Sequence, residues 1–310
     1  MITSNLPAAN DPSQVARQYA TDQHLQTQIE TQRRYSVSKK LEAEIDAALA
    51  LDGSEALLNV RTRPGHFPGR LHATGHRVRI VGANMSGGIF DKAQSSFAGV
   101  EFVQAGADAL PFPDATFNVL TARHMLYHVP SVPAALEEFR RVLKPGGRFL
   151  AVTNTARYMP ELWTAVAEAN ELDSSLNALA ITRSGVAAAF SEANGEAWVQ
   201  EAFGNAQLNF LDNALVFPAP EPMLAYLKSH SAWLGLGKAE QTRGRAALKT
   251  VLQSRFLCVG PGPSHYGWSG PTQGNKPAPI FGRLRLHSRS GRPGPFLSTL
   301  NPIRGFKPAP

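Results

Sequence analysis

The 310-residue chain has little cysteine and no long apolar run. Its single cysteine, Cys258, cannot form an internal disulfide or a thiolate metal cluster by itself, which favours a reducing compartment. No stretch approaches the roughly 18 to 20 apolar residues that a membrane helix needs. The first residues also lack the basic-then-apolar pattern of a secretory signal. These absences predict a cytoplasmic protein with no membrane partner.

The basic charge of the chain is concentrated at its C-terminal end. The formal net charge is +7, and residues 259–310 contain seven Lys and Arg and no Asp or Glu. The preceding residues are therefore electrically balanced. The same segment contains nine Gly and ten Pro, a composition that predicts a disordered tail. Such a tail can touch nucleic acid weakly through electrostatics, and we expect no other nucleic-acid partner.

Short apolar runs alternate with helical stretches in the middle of the chain. Buried strands are predicted at 56–60, 78–83, 100–104, 117–122 and 148–154. Helices are predicted between them at 67–74, 87–97 and 132–143. This order is typical of parallel crossover units. It predicts an α/β fold with a Rossmann-like, open, mostly parallel twisted sheet and helices on both faces.

Composition and periodicity divide the chain into three regions. We expect an N-terminal helical cap at 1–50, an α/β domain at 51–258 and the Gly/Pro-rich basic tail at 259–310. The α/β domain carries predicted helical insertions at about 160–200 and 221–252, with one further strand at 207–217.

Five segments of the chain carry a family resemblance. They read LLNVRTRPGHF at 57–67, IVGANMS at 80–86, LPFPDATFN at 110–118, HMLYHV at 124–129 and LEEFRRVLKPGGRFL at 136–150. Their order and spacing resemble the motifs of class I S-adenosylmethionine-dependent methyltransferases, in the small-molecule branch that includes quinone-biosynthesis enzymes. The resemblance covers about residues 15–255. It implies S-adenosylmethionine as cofactor and methyl transfer to a small-molecule acceptor.

The resemblance also implies where the cofactor binds. The candidate cofactor residues are Asn59, Arg61, Arg63, Gly65, Asn84, Met85, Gly106, Ala107, Asp108 and Arg123. His124 and His128, spaced i, i+4, are candidates for a general base or for lining the substrate mouth, with plain packing as the alternative. No third ligand is signalled near this pair, so we predict no metal site. Glu137 and Glu138 are expected on a solvated helix face.

Several candidate positions depart from the family pattern. The family's acids at the first, second and third motifs fall on Asn59, Asn84 and Gly106, with Asp108 two residues further on. Arg61 and Arg63 stand where the family has turn glycines, whose backbone angles residues with side chains resist. An amide accepts a hydrogen bond from one ribose hydroxyl where a carboxylate accepts from two.

The local charge pattern is unfavourable for the cofactor as well. No acidic residue lies between Glu55 and Asp91, whereas five arginines do. A positive pocket repels the sulfonium and ammonium of S-adenosylmethionine. The sequence therefore predicts cofactor affinity that is reduced or lost.

Three alternatives to an active small-molecule methyltransferase stay open. One is a catalytically inactive methyltransferase-like binding protein, and a second is a damaged gene product. A nucleic-acid methyltransferase is the third, supported only by the basic tail. The family's final antiparallel strand has no clear counterpart after Leu252, and the alternating segment Ile280–Leu286 is its one candidate. Without that strand the sheet would leave backbone groups unpaired.

Overall fold

A computed structural model describes residues 22–38, 40–60, 65–76, 78–84, 93–211, 213–257, 284–287 and 296–299. The predicted sites Arg61, Arg63 and Met85 lie outside these ranges. So do residues 1–21 of the expected N-terminal cap and most of the expected tail.

The centre of the fold is a seven-stranded sheet with the strand order β3-β2-β1-β4-β5-β9-β6. The strands are β1 (Leu57–Val60), β2 (Ile80–Asn84), β3 (Glu101–Gln104), β4 (Phe117–Arg123), β5 (Leu143–Thr153), β6 (Gln207–Phe210) and β9 (Phe296–Thr299). The first five are parallel, whereas β9 is antiparallel to both β5 and β6. The predicted open, mostly parallel α/β sheet is confirmed.

Helices cover both faces of this sheet and form a second layer beyond β5. They are α1 (Asp22–Tyr35), α2 (Leu41–Leu49), α3 (His66–Ala73), α4 (Val132–Val142), α5 (Pro160–Leu172), α6 (Asn177–Ala189), α7 (Gly195–Phe203), α8 (Pro220–Lys228), α9 (Ser231–Leu234) and α10 (Lys238–Leu257). Two 3₁₀ turns lie at Leu126–His128 and Ser174–Leu176.

Burial on both faces explains the continuous apolar runs of the parallel strands. Every residue of β1 and β2 is buried. Leu58 and Leu120 face a core that includes Phe139 of α4, while Leu57 faces the core beneath α2 and α3. A strand between two helical layers must be apolar on both sides.

The helical layer has a hydrophobic core of its own. Leu162 of α5, Met223 of α8 and Leu248 of α10 are fully buried in one cluster. Phe217 joins the same cluster from strand β7 (Ala214–Phe217). The insertions therefore pack as one unit against the sheet.

The structure corrects the expectation that the final antiparallel strand has no counterpart. β9, not the candidate Ile280–Leu286, fills that place, and Leu297 pairs with Val152 on one side and Asn209 on the other. The unpaired edges of β5 and β6 are thereby satisfied. A second segment of the expected disordered tail, β8 (Leu284–His287), pairs with β7 in a separate two-stranded sheet.

Some predicted elements have different limits in the structure. The single strand expected at 207–217 is two strands, β6 and β7, which belong to different sheets. Within the second insertion, α8 ends at Lys228 and α9 begins at Ser231.

Candidate active site

The carboxyl ends of strands β1 to β4 meet at one edge of the sheet, because these strands are parallel. In open α/β sheets this edge is where ligands bind. The structure brings several predicted residues to it. They are Asn59 in β1, Asn84 at the end of β2, Gly106, Ala107 and Asp108 after β3, and Arg123 at the end of β4.

Asn59 is held inside the sheet by a neighbouring strand. It lies opposite Thr121 in the β1–β4 ladder, and its Oδ1 accepts a hydrogen bond of 2.7 Å from the Thr121 hydroxyl. Both side chains are buried. The amide is thus part of the sheet's internal hydrogen bonding, which a buried polar group requires.

Asn84 is the second buried amide at this edge, with 7% of its surface exposed. Its main-chain carbonyl accepts from the Ala105 N–H at 3.0 Å, which ties the end of β2 to the segment after β3. Gly106 and Ala109 then form an isolated bridge that closes a turn, and Asp108 is exposed on that turn. An amide can accept from one ribose hydroxyl and donate to the other. The chemistry of the described residues therefore fits the nucleoside part of S-adenosylmethionine.

Gly65 is the N-cap residue of α3 and has a left-handed backbone conformation, with φ of +86°. A Cβ built on it would lie 2.7 Å from Cδ2 of Phe97. This one glycine is therefore required both by the turn and by the ring packed against it.

Two of the five arginines of this region pair with acids from distant elements. Arg70 pairs with Asp46 at 2.7 Å and also with Glu42. Arg79 pairs with Glu101 at 2.7 Å. For these two arginines, α2 and β3 supply the carboxylates that the interval between Glu55 and Asp91 lacks.

Arg123, at the end of β4, contacts side chains of α2 and α3. Its guanidinium bonds the Glu42 carboxylate and lies 4.5 Å from the ring centroid of Phe67. Burial lowers its pKa, and the Glu42 charge opposes that shift. The contact joins α2 and α3 to the end of β4.

Glu138 is not on a solvated helix face as expected. Its side chain is 15% exposed, pairs with Arg141 at 2.6 Å and accepts from the Leu110 N–H at 2.8 Å. Arg141 also bonds Asp114 and the Phe112 carbonyl. Bonding to Arg141 lowers the pKa of Glu138. These contacts fix the loop before β4 to helix α4.

A cavity of about 140 Å³ lies between the carboxyl end of β5 and the helical layer. Thr153 and Thr155 line it from β5 and the residues after it, and Tyr127 and His128 from the 3₁₀ turn that follows β4. The helices α1, α5, α6, α8 and α9 and their ends complete the wall with Gln28, Trp163, Arg183, Tyr226 and His230. The walls thus combine aromatic and aliphatic side chains with several polar groups, as in small-molecule sites.

His230 has a defined tautomer in this cavity. Its Nδ1 lies 3.0 Å from the Tyr226 carbonyl oxygen. A carbonyl only accepts, so Nδ1 carries the hydrogen and Nε2 carries the lone pair. Burial lowers the pKa of His230, although main-chain bonds to Tyr226 and Leu227 oppose the shift. A neutral imidazole with an available lone pair can accept a proton from a ligand.

Tyr158 contributes a hydroxyl that stays protonated. Gln32 of α1 donates to this hydroxyl at 2.6 Å, and the Tyr226 hydroxyl lies 3.5 Å away. Burial raises the pKa of Tyr158 well above its ordinary value, and the nearby Tyr226 adds to this. Tyr158 therefore remains neutral and holds α1 against the helical layer.

The two predicted histidines occupy different positions. His128 lines the cavity, next to Tyr127 with ring centroids 4.5 Å apart. His124 is absent from the lining; its backbone is left-handed, with φ of +50°, and its N–H donates to the Val152 carbonyl at 2.7 Å. A non-glycine residue in that conformation is strained.

Sequence reasoning missed Trp163, Arg183 and His230. Trp163 lies on α5, Arg183 on α6 and His230 in the turn between α8 and α9, and only the packing of the helical layer brings them together. The one available signal was the cluster of polar and aromatic side chains at 226–233, which is unusual in an otherwise apolar helical stretch. Across the residues that the structure describes, no helix is long and apolar enough to span a membrane.

The strand order and helical layers define a Rossmann-like α/β methyltransferase fold. A crystal structure named as a methyltransferase from an antibiotic biosynthesis pathway of Anabaena variabilis shares it, with a TM-score of 0.59. That similarity covers 84% of this chain and 96% of the other at 13% identity, so it concerns the fold alone.

Comparison of the sequence with known proteins also finds methyltransferases. Residues 58–151 match the family model described as a methyltransferase domain. The chain is 31% identical over 105 residues to the ubiquinone/menaquinone biosynthesis C-methyltransferase of Desulfotalea psychrophila, covering 33% of this chain and 43% of that protein. It is 44% identical over 84 residues to the uncharacterized methyltransferase YcgJ of Bacillus subtilis, covering 25% of this chain and 33% of that protein. The chain matches less than half the length of either curated relative.

These findings place a methyltransferase domain of the class I, S-adenosylmethionine-dependent type at residues 58–151. Its sequence is similar to part of a quinone-biosynthesis C-methyltransferase. S-adenosylmethionine is the cofactor of this class.

Proposed function

We propose that the protein transfers a methyl group from S-adenosylmethionine to a small molecule bound in the cavity beside β5. The position of the cavity supports this most directly. Thr153 and Thr155 line the cavity at the carboxyl end of β5. Tyr127 and His128, from the 3₁₀ turn that follows β4, line its other side. The acceptor would thus lie next to the edge at which the cofactor binds.

The residues that would hold the cofactor are Asn84 and the segment Gly106–Asp108. When bound, S-adenosylmethionine supplies a methyl group on a sulfonium, and the electron pair of the broken C–S bond stays on sulfur. The remaining work of the protein is to align the acceptor atom and to keep water out, since such transfers depend mainly on proximity.

His230 is the better candidate for a general base. Its tautomer is set by the Tyr226 carbonyl, so Nε2 can take the proton that the acceptor atom releases as its new bond to carbon forms. His128 lines the same cavity and is the second candidate. Both belong to the part of the chain that would contact acceptor rather than cofactor.

A substitution that fills the cavity with a larger side chain tests whether the methyl acceptor binds there. Ala187 of α6 lines the cavity, and Ala188 beside it is exposed. We expect Ala187→Phe to abolish methylation of any accepted substrate while binding of S-adenosylhomocysteine is kept. The matched control Ala188→Phe should behave as the unmodified chain. The assay incubates the full chain with S-adenosylmethionine and a panel of single-ring phenols and anilines, and detects methylated products by mass.

An inactive binding protein is the second candidate function. The observation that favours it is the pair of buried amides, Asn59 and Asn84, at positions where the resembling family has acids. A chain that melts cooperatively but neither binds S-adenosylhomocysteine nor yields any methylated product would support that alternative.

A further inference from the structure

The cavity beside β5 contains a cation with no acidic partner. Arg183 lines it from α6, and among the ion pairs of the described residues none involves this guanidinium. Its Nη2 donates a hydrogen bond to the Ala156 carbonyl at 3.3 Å. Burial lowers the pKa of Arg183, yet arginine remains charged at neutral pH.

Two further donors lie beside this guanidinium. Its Cζ is 5.3 Å from the ring centroid of Trp163, and the carbonyl it bonds belongs to the residue after Thr155. The Thr155 hydroxyl and the Trp163 indole N–H are both buried, and neither has a hydrogen-bond partner in the described part of the chain. Thr155 is only 8% exposed.

A buried donor without a partner destabilises the folded chain. A ligand acceptor that reaches the hydroxyl or the indole N–H would satisfy that donor. A carboxylate or another oxyanion would in addition neutralise Arg183, since charge-assisted bonds to guanidinium are the strong ones. The donors therefore favour an anionic group over a neutral one.

The rest of the cavity sets the size of the ligand. Its volume of about 140 Å³ is close to that of a cavity of about 150 Å³ that admits one benzene ring. Phe190 and Tyr226 supply aromatic walls. This volume corresponds to about one aromatic ring.

We infer that the methyl acceptor is a single-ring aromatic compound with an anionic substituent, which Arg183, Thr155 and Trp163 bind together. This inference rests on the proposed function for the role of the ligand. The anion site itself rests only on the contacts of the cavity.

Titration calorimetry with salicylate and its neutral amide, salicylamide, tests the anion site. We expect salicylate to bind the full chain in a saturable manner and salicylamide to bind at least about tenfold more weakly. Arg183→Gln should remove this preference, and Arg183→Lys should retain part of it because the charge is kept. Thr155→Val should weaken salicylate binding as well.

Arg140→Gln is the matched control. Like Arg183, Arg140 donates to a main-chain carbonyl, that of Ala202 at 3.4 Å, but it lies outside the cavity. This variant should bind salicylate as the unmodified chain does. Each variant is first checked for a cooperative thermal melt.

Equal binding of the two probes, no binding of either, or unchanged binding by a folded Arg183→Gln chain would each overturn the inference. A parallel titration with S-adenosylhomocysteine separates this inference from the proposed function. Binding of S-adenosylhomocysteine without salicylate binding would contradict only the anion site. Salicylate binding without S-adenosylhomocysteine binding would contradict only the methyltransferase role.

Discussion

The hydroxyl of Thr121 donates a hydrogen bond of 2.7 Å to the amide oxygen of Asn59, and both side chains are buried between β1 and β4. The motif resemblance aligns Asn59 with an acid of the methyltransferase family. This hydrogen bond shows how the sheet accommodates an amide at that position. Thr121→Val keeps the side-chain shape and removes the donor. We expect the free energy of unfolding to fall by about 1–3 kcal/mol, measured by urea denaturation.

Thr250→Val is the control for that substitution. The Thr250 hydroxyl donates to the Ala246 carbonyl on an exposed face of α10. Its loss should change the free energy of unfolding by no more than about 0.5 kcal/mol. Equal losses in the two variants would show that the Asn59–Thr121 bond contributes nothing specific.

Substituting alanine for three glycines around α3 distinguishes the effect of backbone strain on stability from that of steric clash. Gly75→Ala introduces strain alone, because φ is +100° and no atom lies within 4 Å of the new Cβ. Gly69→Ala introduces clash alone, with Cδ1 of Phe97 at 2.1 Å. Gly65→Ala introduces both. We expect Gly75→Ala to cost about 1 kcal/mol and Gly65→Ala to cost about 1–3 kcal/mol more. Thermal melts that rank Gly75→Ala as the most damaging would contradict the packing described for Phe97.

The buried His230 should make stability depend on pH. Burial lowers its pKa below the ordinary value of 6.5, so the unfolded chain binds a proton at pH values where the folded chain does not. The free energy of unfolding therefore falls as the pH drops through the unfolded pKa, and the fall ends below the folded pKa. His230→Gln removes this contribution.

Denaturant titrations from about pH 7.5 to about pH 5.5 measure that dependence. The unmodified chain should lose more stability over this range than the His230→Gln chain. Parallel curves for the two proteins would mean that His230 protonates equally well in the folded and unfolded states.

Strand β9 lies between two partners, whereas β8 has one. Leu297→Pro removes a backbone N–H from the strand between β5 and β6, and Leu286→Pro does the same in the two-stranded sheet. Proline is tolerated poorly inside a sheet and better at its edges. We expect Leu297→Pro to lower the melting temperature more than Leu286→Pro does. The reverse order would argue against β9 as the strand that completes the sheet.

The parallel sheet could be predicted because its cause is local. Apart from Asn59 and Asn84, the strands Leu57–Val60 and Ile80–Asn84 are apolar, and burial on both faces accounts for such runs. β9 could not be predicted in the same way. Its four residues stand within a Gly/Pro-rich segment, and its stability comes from the edges of β5 and β6, more than 80 residues away in the chain.

The charge balance of the site also depended on distant residues. A count along the sequence finds Arg70 and Arg79 without nearby acids, but Asp46 and Glu101 reach them through the packing of α2 and β3. His128 was a candidate because of its i, i+4 spacing from His124 in the segment that follows β4. Arg183, on a helix of the second layer, was not, since no sequence pattern places that helix over β5.

The central claim is that the edge formed by β1 to β4 binds the nucleoside of S-adenosylmethionine. Isothermal titration of S-adenosylhomocysteine into the full chain tests it most directly, together with Asn84→Asp and the control Asn118→Asp. Asn118 lies at the other end of the sheet, where its amide oxygen accepts from the Ala56 N–H. The account predicts saturable binding that is strengthened by Asn84→Asp, because a carboxylate accepts from both ribose hydroxyls, and left unchanged by Asn118→Asp. Absence of binding by all three folded proteins would contradict it.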